Sequence, residues 1–161
     1  MSRIAAIPFV PEHVNAKWIE ERHLEALQIM LENAHVRKQM TGAWAVTFID
    51  AMNYQILGCF GVVPGTRECW AFLNRRLLDQ DCYRQHKVDI VRRCMKILDD
   101  HQEETGGPCY ARIEEGEDYR DVKFIETIGF KSNPFDEYYT RGEWLTEPTK
   151  KQRGVRYDLL C

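Results

Sequence analysis

The chain has 161 residues, of which 44% are apolar and 29% are charged, and its formal charge at pH 7 is −3. This composition is that of one packed domain over residues 1–161, and it excludes an intrinsically disordered chain. The slightly acidic balance gives no support for general binding to nucleic acid or to anionic membranes. No stretch reaches the ~20 apolar residues of a membrane-spanning helix.

Six cysteines occur without a C-x-x-C pair, which disfavours a zinc knuckle and a thioredoxin-type redox site. Cys82 and His86 have the spacing of half a metal site on a helix, but a complete site needs two more ligands, so we expect no metal. Residues 1–10 are unlike a secretory signal, and we therefore expect a cytoplasmic location and reduced thiols.

The N-terminal part predicts a strand followed by helices. Residues 3–9 have a strand pattern, and Pro11 suits the first turn of a helix because that turn leaves an N–H unpaired in any case. Near-helical spacing predicts a helix up to Asn33, and a break or a second short helix before Gly42. The apolar residues at this spacing are Trp18, Ile19, Leu24, Leu27, Met30 and Leu31.

Three strands are predicted next, over residues 44–49, 54–63 and 68–73. The turn-like segments between them are short, which implies an antiparallel meander. From residue 81 to residue 104 the apolar period becomes that of a helix, and Thr105-Gly106-Gly107-Pro108 ends it.

The C-terminal part predicts a strand over residues 109–113 and then a helix that Asp118 can cap and Gly129 ends. Extended chain restarts at Phe130. Two further strands are predicted over residues 138–140 and 155–160, separated by an exposed polar loop.

This order of elements resembles the order in the GNAT superfamily of N-acyltransferases. A sharper signal is residues 120–130, Arg-Asp-Val-Lys-Phe-Ile-Glu-Thr-Ile-Gly-Phe, which resemble the family's segment in which a helix ends at Gly-Phe. Gly129 can adopt the left-handed conformation that closes the helix, and Phe130 can fill the core beneath the next strand. The resemblance implies an α+β, GNAT-like fold with a central mixed, mostly antiparallel sheet flanked by helices.

A narrower resemblance involves residues 58–70, the basic helix after them, residues 124–129 and residues 138–142. These segments look like the small internal virion proteins of short-tailed phages, which have a GNAT-like core. The resemblance implies a virion or morphogenesis component that works with other phage or host proteins. It also implies a location in the host cytoplasm and in the virion.

GNAT enzymes hold the pyrophosphate of acyl-CoA with the pattern Gln/Arg-x-x-Gly-x-Gly/Ala at the start of the long helix. Phosphate must approach bare main chain at the positive end of the helix dipole. Here both glycine positions are filled, by Lys87 and Asp89, so we expect no cofactor. If acetyl-CoA does bind, the resemblance implies that Arg84, Gln85, His86 and Lys87 hold it.

The resemblance also implies a general acid, commonly a Tyr four residues before the Gly of Gly-Phe. This chain has Ile125 there, which cannot donate a proton. Tyr119, Tyr138 and Tyr139 are the remaining candidates, and the alternative interpretation of each is a packing or interface tyrosine.

In GNAT enzymes the general base is often a carboxylate on the fourth strand of the fold. Glu68 lies near the start of that strand, and Glu114 and Glu115 end the fifth. The alternative interpretation of Glu68 is a solvated acid at a strand end.

The leading hypothesis is a GNAT-fold protein used for binding or assembly, with little or no acetyl transfer. The alternative is a divergent acetyl-CoA-dependent N-acyltransferase with Glu68 as base and Tyr138 or Tyr139 as acid. The residues leave open whether the chain is an enzyme, and whether a V-shaped opening between the fourth and fifth strands is present.

Overall fold

The computed structural model describes residues 3–79, 84–112, 119–132 and 138–144. The strands are β1 Ile4–Pro8, β2 Ala45–Asp50, β3 Ile56–Val62, β4 Cys69–Leu73, β5 Cys109–Arg112, β6 Lys131–Ser132 and β7 Tyr138–Arg141. The α-helices are α1 Leu24–Glu32, α2 Ala34–Met40, α3 Arg76–Asp79, α4 Arg84–Thr105 and α5 Tyr119–Thr127, and short 3₁₀ helices cover Pro11–His13 and Glu21–His23. No helix of these residues is long and apolar enough to cross a bilayer.

The strands form two antiparallel sheets that meet at one point. The first has the order β1-β2-β3-β4, which confirms the predicted meander, and the second has the order β5-β7-β6. They are joined by an isolated parallel bridge between Glu68 and Tyr110, where the Tyr110 N–H donates to the Arg67 carbonyl at 2.9 Å. The result is the expected mixed, mostly antiparallel sheet.

Helices cover both faces of the first sheet. On one face α4 and α5 contribute Ile90, Cys94, Leu98 and Ile125 to an apolar cluster. On the other face α1 and α2 contribute to a second cluster with residues of β2, β3 and β4. Successive β4 residues alternate between the clusters, as the period of a strand requires: Cys69 and Ala71 pack on the first, and Trp70 and Phe72 on the second.

Residues 18–23, hereafter the strap, run along the end of β4. Ile19 forms an antiparallel bridge with Asn74. The Glu20 N–H donates to the Leu73 carbonyl at 3.3 Å, and the Arg75 N–H donates to the Trp18 carbonyl at 2.9 Å. The predicted helix over Trp18 and Ile19 is therefore wrong, because strand pairing rather than a helix face buries Ile19; α1 begins only at Leu24.

Strand β3, predicted over residues 54–63, also begins later than predicted. Tyr54 has a φ of 59°, a left-handed conformation that belongs to a turn, and β3 starts at Ile56. The strand predicted over residues 155–160 and the cap at Asp118 lie outside the described residues.

The end of α5 confirms the prediction made for the Gly-Phe segment. Gly129 has a φ of +108°, its N–H donates to the Glu126 carbonyl at 3.1 Å, and the Phe130 N–H donates to the Ile125 carbonyl at 3.0 Å. This pattern satisfies carbonyls that the last turn leaves unpaired. Phe130 then enters the core.

Candidate functional site

A cavity of about 310 Å³ lies between α4 and α5, at the end of β4. Its apolar lining consists of Leu73, Leu77, Ile90, Val91 and Phe124, and its cationic lining of Arg22, Lys87, Arg120 and Lys123, with Thr127 beside them. The cavity thus combines an apolar interior with four cationic lining residues, of which Arg22 is paired with the carboxylates of Glu20 and Asp121.

The lining residues of α4 and of α5 each lie on one face of their helix, as helical periodicity requires. On α4, Lys87, Ile90 and Val91 are three and four residues apart and therefore share one face. On α5, the same spacing continues through Arg120, Lys123, Phe124 and Thr127. The sequence predicts both helices, but not that these two faces oppose each other.

The strap joins β4 to α5 at the cavity wall. Arg22 Nε lies 2.5 Å from Glu20 Oε2, and Arg22 Nη2 lies 3.4 Å from Asp121 Oδ1 on α5. His23 Nε2 lies 3.3 Å from the same Asp121 oxygen. Glu20 is buried, and this burial raises its pKa against the attraction of Arg22 and His23. Main-chain pairing places the strap beside residues 73–75, at the end of β4, and the bridge of this chain segment to β5 lies at Glu68.

The four residues predicted to hold acetyl-CoA are only partly brought together. Arg84 and Gln85 are exposed, and Gln85 Nε2 donates to Asp89 Oδ1 at 3.1 Å. His86 Nε2 lies 3.2 Å from Asp50 Oδ2. Lys87 lines the cavity. Residues 80–83, which precede α4, lie outside the described residues.

Glu68 is 5% exposed, so the interpretation of a solvated strand-end acid is wrong. The bridge to Tyr110 buries it between β4 and β5. Burial raises the pKa of Glu68 to about 7, and Arg112 acts in the opposite direction. Its Oε2 atom has no hydrogen-bond partner among the described residues. Glu68 does not line the cavity.

The candidate acids have different surroundings. Tyr138 is buried and lies opposite Arg112 in the β5–β7 pair, so Arg112 is close to both Tyr138 and Glu68. Tyr139 lies opposite Ala111 and packs on the α4–α5 cluster, on the other face of the sheet. The burial of Tyr138 and the apolar contacts of Tyr139 agree with the alternative interpretation, in which these tyrosines have a packing role. The Tyr119 side chain, Glu114 and Glu115 lie outside what the structure describes.

Cysteine chemistry finds no support in the described residues. His101 Nδ1 lies 3.3 Å from Cys109 Sγ, but burial raises the pKa of Cys109 to about 12 and lowers the pKa of His101 to about 4. The pair is therefore neutral, and a thiol is a poor nucleophile. Cys59, Cys69 and Cys94 are also free. No cluster of three potential metal ligands occurs within the described ranges, and Cys82 lies outside them.

Sequence reasoning missed Arg22, Arg120 and Lys123. The sequence resemblance implies a cofactor site only at the start of the long helix and assigns no role to Arg22 or to the basic residues of α5. The available signal was the spacing of Arg120, Lys123 and Phe124, which puts two cations beside an aromatic ring on one helical face.

No protein-family model matches the sequence, and no curated protein matches it. Among solved structures, the crystal structure of a ribosomal-protein-S5-alanine acetyltransferase from Vibrio fischeri is similar, with a TM-score of 0.50 and 10% sequence identity. The alignment covers 92% of this chain and 97% of that chain. At this identity the likeness shows the fold alone. The chain has the GNAT fold, as the sequence predicted, while the narrower phage resemblance stays a prediction.

Proposed function

We propose that this chain is a GNAT-fold binding protein that holds a small amphiphilic anion in the cavity between α4 and α5, without efficient acetyl transfer. The observation that carries the proposal is the lining of the cavity, in which cationic residues of the strap, α4 and α5 occur together with apolar ones.

The two parts of the lining act on different parts of a ligand. Burial of an alkyl chain against Leu77, Ile90 and Phe124 stabilises binding by about 0.8 kcal/mol for each buried CH₂ group. Lys87 and Lys123 favour an anionic head group over a neutral one. The volume of about 310 Å³ is at the small end of ligand pockets, which run from roughly 300 to 1,000 Å³. It suits a medium-length alkyl anion.

Three observations support a role without efficient transfer. Lys87 stands at a glycine position of the family's phosphate-binding pattern and extends to the cavity. The strap occupies main-chain groups at the end of β4. Ile125, at the position of the usual acid, is a core residue. These features disfavour the binding of acetyl-CoA that the alternative function needs.

Calorimetric titration with octyl phosphate tests the binding site. The wild-type chain is expected to bind it, and Lys123→Gln is expected to raise the Kd about tenfold, the equivalent of about 1.4 kcal/mol. Lys96→Gln is the matched control, because Lys96 is exposed on α4 and pairs with Asp100 at 3.1 Å. Lys96→Gln should leave the Kd unchanged.

Two results would contradict the proposal. One is no binding of octyl phosphate at about 1 mM, a concentration that half-fills a site with a binding free energy of only about −4 kcal/mol. The other is binding of acetyl-CoA at low micromolar Kd that is lost on Arg84→Ala or Lys87→Ala.

A divergent N-acyltransferase is the second candidate, and Glu68 is the observation that favours it. A carboxylate with a pKa of about 7 is suited to accept a proton near neutral pH. Trp70, two residues along the same strand, also has a buried Nε1 without a hydrogen-bond partner among the described residues. In this function Glu68 takes a proton from an amine whose nitrogen bonds to the acetyl carbonyl carbon, the carbon–sulfur bond breaks, and the sulfur of coenzyme A takes a proton from Tyr138 or Tyr139 and leaves as a thiol.

Thiol release from acetyl-CoA over a panel of amines tests this candidate. Activity should appear, should rise with pH around 7, and should fall about a hundredfold or more on Glu68→Gln. Absence of thiol release with every amine would exclude it.

The proposed setting follows the narrower sequence resemblance, with phage or host proteins as partners. It stays a prediction. Mass spectrometry of purified particles from an infected host would detect the chain if it is packaged.

A further inference from the structure

The strap is held differently at its two sides. On the β4 side, main-chain hydrogen bonds join it to Leu73 and Arg75. On the α5 side, Asp121 is the carboxylate that meets both Arg22 and His23, at 3.4 and 3.3 Å. Loss of this carboxylate therefore weakens the contacts of Arg22 and His23 with α5, so the strap depends more heavily on its main-chain hydrogen bonds to β4, which then open more often.

The strap is also part of the cavity wall. Arg22 and Leu73 both line the cavity, and the Leu73 carbonyl accepts from the strap residue Glu20. The side chains of Arg22, His23 and Asp121 are largely buried, with 12%, 12% and 24% exposure. Movement of the strap away from α5 would therefore open the wall between β4 and α5.

We propose that the strap is an autoinhibitory closure, latched to α5 by Asp121, that limits entry of ligands into the cavity. This inference rests on the proposed function, because it assigns regulation to the same cavity. The closed state lowers the apparent affinity of any ligand by the fraction of molecules that are open. If about one molecule in ten is open, release of the latch raises the apparent affinity about tenfold.

Asp121→Asn is the central variant, and Asp99→Asn is its matched control. Asp99 is an exposed carboxylate on α4 that pairs with Arg141 at 2.7 Å, so the control makes the same chemical change at another ion pair. His23→Gln weakens the latch from the strap side without changing α5. Thermal unfolding of each variant verifies that the fold is retained.

The first measurement is amide hydrogen exchange. The Glu20 and Arg75 amides form the main-chain hydrogen bonds between the strap and the end of β4. In Asp121→Asn both amides are expected to exchange about tenfold faster than in wild type. The Asn74 amide is an internal reference, because it donates to the Leu57 carbonyl of β3 at 2.9 Å and should be unaffected. Unchanged exchange at Glu20 and Arg75 would overturn the inference.

The second measurement is fluorescence titration with N-phenyl-1-naphthylamine, a neutral apolar dye whose binding does not depend directly on the charge of Asp121. Asp121→Asn and His23→Gln should bind the dye about tenfold more tightly than wild type, and Asp99→Asn should not. Equal or absent dye binding in wild type and Asp121→Asn would overturn the closure. Failure of octyl phosphate to bind, by contrast, would count against the proposed function alone.

Discussion

Glu68 and Tyr110 pair in a parallel bridge that joins two otherwise antiparallel sheets. Because the bridge closes β4 against β5 at this point, the Glu68 carboxyl is removed from water. The fold therefore carries an ionisable group at the junction of its two sheets, and the stability of the junction depends on the protonation of that group.

Glu68→Gln is expected to stabilise the protein at pH 8 and to have little effect below pH 4.5. The folded pKa of about 7 lies above the unfolded value of 4.5, so the unfolded chain loses this proton first. Between these two values the wild-type free energy of unfolding falls as pH rises, by about 3 kcal/mol in total. Urea unfolding at pH 4.5 and pH 8 measures the difference. A wild-type-to-variant difference that stays constant with pH would exclude this assignment.

His101 is expected to produce the opposite pH dependence. Its folded pKa of about 4 lies below the unfolded value of 6.5, because burial and Arg67 disfavour the charged ring. Its contribution is present above pH 6.5 and is lost as pH falls towards 4, by about 3 kcal/mol. His101→Gln should flatten this slope, although it also removes the edge contact with Trp44 at 5.0 Å. His35→Gln, at an exposed position on α2, should leave the slope unchanged.

Gly129→Ala is expected to cost about 2–4 kcal/mol of stability. A Cβ there would meet Arg141 Nε at 2.8 Å and would also stand at a positive φ. Displacement of Arg141 breaks its 2.7 Å hydrogen bond to the Ile128 carbonyl. Gly106→Ala is the control, because its φ is +76° but nothing lies within 4 Å of the added atom, so a cost of only about 1–2 kcal/mol is expected. Equal losses in thermal unfolding would show that the contact with Arg141 adds nothing.

Asn74→Asp is expected to destabilise the protein by about 2–4 kcal/mol at neutral pH. Asn74 is 1% exposed, its Nδ2 donates to the Ile56 carbonyl at 2.8 Å, and an aspartate would set an oxygen against that carbonyl. Asn53→Asp is the control, since exposed Asn53 accepts from the Gln55 N–H and an aspartate keeps that acceptor. Denaturant unfolding of the two variants at pH 7 should separate them clearly.

Local chemistry made much of the fold predictable. The meander follows from short turns between strand-forming runs, and the end of α5 follows from the conformational freedom of Gly129. Both depend on residues that are neighbours in sequence. The predicted boundaries therefore differ from the structure mainly where a turn residue such as Tyr54 has a strand-like side chain.

The strap and the cavity were not predictable in this way. Ile19 has the spacing of a helical residue, and only its pairing with Asn74, 55 positions along the chain (74 − 19), makes it extended. The cavity depends on how α4 and α5 face each other, which periodicity within either helix does not specify. The burial of Glu68 likewise depends on Tyr110, a residue from a distant strand.

The pairing of Ile19 with Asn74 has a consequence for synthesis. Translation is vectorial, so Ile19 is synthesised well before Asn74, and this contact stays unmade in the interval. Such long separations slow folding because a large loop must close before the contact forms. Until Asn74 has been synthesised, the strap therefore has no strand to pair with.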